Sequence, residues 1–162
     1  MMIRWLKIML VVGVALWGLI GTLGNLMSLD AAFNSVQQVT SMEWLGDGDG
    51  PPWRTTNAIV AGMGVALIIL GKLIAGVMCA FGAFRMVQSV DREPGLFQQA
   101  KRLAIVGAGA AFFMLFIGFT VIGETVYLMF FEPYLVGAAE AAWRYGGFIG
   151  LIMIFLAQPE PA

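Results

Sequence analysis

The chain has 162 residues, of which 60% are hydrophobic and 12% charged, with a net charge of −1. A water-soluble domain carries roughly 25% charged and 45–50% apolar residues, so a chain of this length could not bury so much apolar surface, and lipid must be the solvent for most of it. The near-neutral charge gives no reason to expect a nucleic-acid partner, and no basic patch suggests one. The absence of histidine, with Cys79 as the sole cysteine, excludes an internal disulfide, a thiolate metal cluster and histidine-ligated haem, zinc or copper within this chain.

A hydrocarbon core of ~30 Å needs about 20 mainly apolar residues as a helix. The first such run, "WLKIMLVVGVALWGLIGTLGNLM", spans about 5–27. Arg4 and Lys7 at its start resemble the charged region of a signal peptide. The apolar stretch runs on without a clean small-x-small cleavage site, so it reads as a retained span. A polar segment follows over 28–56, with Asp30, Glu43, Asp47, Asp49 and Arg54. "AAFNSVQQV" within it suits a short helix at the membrane surface, and "GDGDGPPWR" is built from turn residues. The Asp-Gly-Asp-Gly stretch lacks the later donors of a calcium loop and reads as a solvated turn.

The second span covers about 58–84. "RMVQSVDREPGLFQQAKR" forms the connection 85–102, broken by Pro94-Gly95. The third span runs over about 103–131, Glu132-Pro133 makes a turn, and the fourth span covers about 137–157 before the proline-containing tail. The fold class is therefore all-α, a single membrane domain built as a four-transmembrane-helix bundle. Arg4 and Lys7 stand at the amino terminus, and Arg85, Arg92, Lys101 and Arg102 in the middle connection. The 28–56 segment is acidic. The positive-inside rule then puts both termini and 85–102 in the cytoplasm, with an acidic outer loop between helices one and two.

Asn25, "FNSVQQVTSM", Arg54, "AKRLA", "GFTVIGE", Arg144 and "FLAQPE" together carry a resemblance. The pattern resembles the bacterial domain-of-unknown-function family 2165, described as predicted small integral membrane proteins. It covers nearly the whole chain. The sequence departs from it at Gln38, at Glu43-Trp44-Leu45 and at Thr125, and matches it at Glu124 and Arg144. The resemblance implies four helices and an inner-membrane address, and it implies no activity.

Charges within lipid cost ~2.5–3.5 kcal/mol on insertion scales, so Lys72, Glu124 and Arg144 are the candidate sites. Glu124 and Arg144 fall at similar depths, about 10 Å from the outer boundary at ~1.5 Å per residue. They belong to antiparallel neighbours, and Glu140 stands four residues before Arg144. Glu124, Glu140 and Arg144 thus read as a structural intramembrane polar cluster. A proton or ligand site, and a residue exposed at headgroup level, stand beside that reading. Lys72 lies deeper, ~10 Å from Glu124 in height, and either snorkels, pairs with a partner subunit or acts in transport.

Gly71, Ala75, Cys79 and Ala83 fall four apart on the second span. Such a stripe admits a close helix, either of the chain itself or, with Lys72, of a partner. Trp and Tyr near the span ends suit an aromatic belt. The composition offers no nucleophile–base pair, metal cluster or phosphate loop. The reading is a non-catalytic inner-membrane protein that binds no cofactor by itself, contacts membrane lipids and serves as accessory or scaffolding subunit of a larger membrane complex. The alternative is a small transporter or channel component using Lys72 and Glu124.

Overall fold

A computed structural model describes residues 1–46 and 50–160. The turn expected over Asp47 and Asp49 lies outside the described residues. Within them the protein is all-helical. Its helices are α1 (Met2–Met27), α2 (Leu29–Ser41), α3 (Ala58–Gln88), α4 (Pro94–Phe113) and α5 (Pro133–Ala157), and α4 runs on into a π-helical segment, Met114–Val126. Four stretches are long and apolar enough to cross a membrane: Met2–Met27, Ala58–Gln88, Pro94–Val126 and Pro133–Ala157.

Local chemistry places the helix starts. Asn57 caps α3, its Oδ1 accepting from the Ile59 amide at 2.9 Å, which satisfies one of the donors a helix start leaves open. Pro94 and Pro133 open α4 and α5, where a missing N–H is no loss and φ is already helical. Ser28 interrupts the first helix with φ −124° and ψ 45°.

The central helix is α3, packed against α1, α2 and α4, while α5 closes against α4 and the π-helical segment. Glycine allows the closest approaches. A Cβ on Gly18 would stand 2.6 Å from the Lys72 carbonyl and 2.7 Å from the Gly76 amide, and one on Gly82 would stand 2.7 Å from the Ala104 amide. Side-chain-free crossings of this kind replace the hydrophobic driving force that lipid does not supply. The core between them is made of Val11, Val14, Ala75, Cys79, Ala83, Met86, Ala104, Ala108, Ala111 and Ile149. Long apolar side chains such as Leu67, Phe81, Phe113 and Phe148 point outward, the reverse of a water-soluble bundle.

The helix α2 packs against the bundle. It continues α1 along α3: Phe33 faces Gly62 and Val36 faces Gly64, and the Thr55 amide donates to the Thr40 carbonyl at 2.8 Å. At ~1.5 Å per residue, α3 is about 46 Å long, enough to pass the hydrocarbon core and still pair with α2 beyond it. At that same end Met129, Leu135 and Ala139 form a second small core with Val39 and Trp44. The Trp53 indole N–H donates to the Val126 carbonyl at 3.2 Å, tying the 50–57 segment to the end of the third span.

Candidate functional site

The expected cluster of Glu124, Glu140 and Arg144 does not assemble as ion pairs. The side-chain ion pairs among the described residues all involve Glu160. Glu124 is half-buried in the π-helical segment, while Glu140 and Arg144 are exposed on α5 beside Trp143, which is 67% exposed. The depth and facing that spacing assigns to Glu124 assume α-helical winding. From Met114 to Val126 the backbone instead bonds i→i+5, as the Tyr127 amide to the Ile122 carbonyl at 2.9 Å marks at its end. That winding changes which residues share a face, and nothing in the amino-acid pattern announces it.

Lys72 lies midway along α3 and its Nζ reaches Asn25 Oδ1 of α1 at 3.4 Å, a long hydrogen bond. Its aliphatic chain runs over Gly21, where a Cβ would meet Cδ at 3.3 Å. Glycine at 21 leaves room for this lysine. The small-residue stripe is covered by the chain itself. Ala75, Cys79 and Ala83 are buried, Gly71 backs onto Met114 and Cys79 onto Gly107 of α4. The chain's own helices thus occupy the stripe at Ala75, Cys79 and Ala83, while Gly71 and Lys72 are half-buried.

The strongest polar constellation is one that residue spacing did not suggest. At the end of the bundle where both termini and the α3–α4 turn meet, Lys7 of α1 and Lys101 of α4 both donate to Glu160 Oε1, at 2.6 and 2.7 Å. Lys101 also donates to the Gln158 carbonyl at 2.8 Å. Arg4 Nε lies 3.6 Å from Glu160 Oε2. The two lysines are 2% and 0% exposed. Burial pushes the Glu160 carboxyl up, but the hydrogen bonds and charges of Lys101 and Lys7 outweigh it and hold it below the usual carboxylate range. Arg4 does further work: its Nη1 donates to the Val90 and Arg92 carbonyls at 2.8 Å each, and its guanidinium lies 5.0 Å over the Phe97 ring. The first span, the α3–α4 turn and the tail are thus one electrostatic unit. In the sequence, Arg4, Lys7 and Lys101 signalled orientation, and Lys101 and Glu160 fell within the "AKRLA" and "FLAQPE" stretches of the family resemblance, but nothing in their spacing brought them together.

Among the described residues no group of three or more acidic or cysteine side chains could hold a metal ion. Beside the α3–α4 turn lies an open cleft of about 620 Å³ lined by Arg85, Gln88, Ser89, Arg92, Leu96, Gln99 and Ala100. A smaller apolar groove of about 170 Å³ separates the π-helical segment from α5, along Phe112, Phe116, Trp143 and Gly146.

In comparison with known proteins, a family model described as predicted small integral membrane protein, domain-of-unknown-function family 2165, matches residues 3–159, nearly the whole chain. No curated protein and no solved structure matches.

Proposed function

The chain belongs to that family of predicted small integral membrane proteins, and from this premise we propose that it is a non-catalytic accessory or scaffolding subunit of a larger complex in the bacterial inner membrane. Both termini and the α3–α4 turn face the cytoplasm in this reading, which follows from the lysines and arginines gathered at that end.

One observation carries the proposal. Glu140 and Arg144 stand on the exposed side of α5, in no ion pair among the described residues. Arg144 is 11 residues from the start of a helix that runs Pro133–Ala157, about 16 Å along it. A guanidinium at such a depth costs ~2.5–3.5 kcal/mol against lipid on insertion scales, and another protein surface with a carboxylate or amide would remove that cost. Trp143 and Phe148, large and exposed on the same helix, offer the apolar area around such a contact.

The alternative of a transporter using Lys72 and Glu124 draws no support from their placement. Lys72 engages Asn25 on α1, and Glu124 sits on a different helix with no bond connecting them. Native purification in mild detergent, followed by mass spectrometry, tests the proposal. A stoichiometric larger membrane protein is expected with the wild type and is lost with Glu140→Leu/Arg144→Leu, while the isolated variant melts as the wild type does. Recovery of a solitary chain from gently solubilised membranes refutes it.

A further inference from the structure

We propose that the cleft beside the α3–α4 turn is a binding site for the phosphate headgroup of an anionic phospholipid, with Arg85 and Arg92 as the phosphate ligands. The proposal stands on cleft geometry and holds whether or not the protein has a partner subunit.

The lining residues form two facing stripes. Arg85, Gln88, Ser89 and Arg92 are spaced i, i+3, i+4 and i+7 at the end of α3 and in the turn after it, and Leu96, Gln99 and Ala100 are spaced i, i+3 and i+4 on the first turns of α4. The neighbouring stripes, with Met86 and Val90 on one side and Phe97, Lys101 and Ala104 on the other, are buried and hold the hairpin together. The cleft therefore has a rigid floor. Arg4 stiffens it further by bonding the Val90 and Arg92 carbonyls, which leaves the Arg92 guanidinium outside that interaction.

The chemistry of the cleft is that of phosphate recognition. Arg85 and Arg92 enter no ion pair among the described residues. Each presents a planar fork of donors suited to phosphate oxygens. The Gln88 and Gln99 amides and the Ser89 hydroxyl add neutral donors and acceptors that suit the ester and glycerol oxygens of a headgroup. Asp91 and Glu93 are the acids of the turn; both are exposed, and neither lines the cleft.

What distinguishes a lipid from a free anion is the surface that leads away from the cleft. Four residues before Arg85 the same face of α3 carries Phe81, then Val77 and Ile74, and the α4 side continues from Leu96 to Val106 and Phe113, all exposed large apolar side chains. A polar, cationic mouth opening onto two apolar ridges matches an amphiphile with its head at the bundle end and its acyl chains along α3 and α4. Anionic headgroups abound on the cytoplasmic leaflet, and basic pockets between spans on that side recruit them.

The test uses the full chain in mild detergent, titrated with phosphatidylglycerol, phosphatidylcholine or inorganic phosphate and followed by native mass spectrometry and thermal melting. Phosphatidylglycerol is expected to be retained and to raise the melting temperature. Arg85→Gln/Arg92→Gln is expected to weaken its binding at least tenfold, and Arg102→Gln, an exposed arginine outside the cleft, less than twofold. The double variant's melting without lipid is measured alongside, and it is expected to match the wild type because neither side chain is buried or paired. Equal loss in the Arg102 variant, undiminished binding in the double variant, equal retention of phosphatidylcholine, or full competition by inorganic phosphate would each overturn the proposal.

Discussion

Replacing Glu160 by Gln removes the carboxylate on which Lys7, Lys101 and Arg4 converge, and leaves two ammonium groups that are 2% and 0% exposed without their counter-charge. Breaking a buried ion pair from one side costs ~3–5 kcal/mol. The lower end applies, because the glutamine amide oxygen can still accept one bond and Lys101 keeps the Gln158 carbonyl at 2.8 Å. A loss of about 3 kcal/mol corresponds to a melting temperature lower by about 6–12 °C for a chain of this size.

The sign with pH follows from the lowered Glu160 carboxyl. Its stabilisation is present above the unfolded value, near 4.5, and is lost as pH falls through the lower folded value. Circular-dichroism melts in detergent from pH 7 to pH 3 measure this directly. The wild type should lose its advantage over Glu160→Gln only below about pH 4.5, and Lys101→Met combined with Glu160→Gln should cost less than the sum of the two. Equal melting of Glu160→Gln and wild type at pH 7, or strictly additive losses, would refute the view that this cluster ties the termini to the α3–α4 turn.

Two helix crossings make a second prediction: Gly18→Val and Gly82→Val push a side chain into the backbone of the facing helix and should each cost about 1–3 kcal/mol or more, read as a lower melting temperature, whereas Gly137→Ala, which meets nothing, should not. Cysteines introduced at Thr56 and Asp91, both exposed, test the orientation. The first should react with an impermeant reagent from the periplasm and the second should not, with Cys79 silent because it is buried. Asn25→Leu removes the hydrogen-bond acceptor of Lys72 and should destabilise the chain by about 1–2 kcal/mol, while Lys72→Met in that background should recover part of the loss in the same melts.

Sequence alone was enough for the membrane setting and for the number of long apolar helices, because both depend on run length and composition, which are local. The helix starts were less legible: Pro94 and Pro133 read as a break and a turn, with spans from about 103 and 137, whereas each proline opens the helix itself, because a proline marks the N1 position of a helix as readily as an interruption. Facing was not local. The π-helical winding from Met114 to Val126 shifts Glu124 away from the face that a 3.6-residue repeat assigns to it, and so a pairing with Arg144 that looked natural by depth does not form. Nor could spacing show that the stripe through Ala75, Cys79 and Ala83 is filled by the chain's own helices; a smooth helix face carries no information about what covers it. The junction of Arg4, Lys7, Lys101 and Glu160 exists only because the first, third and fourth spans end at the same level, bringing together charges up to 156 positions apart. Lipid rewards every apolar span alike and so leaves their mutual arrangement open. Close glycine crossings and buried charge pairs decide it, and both are properties of the packed bundle.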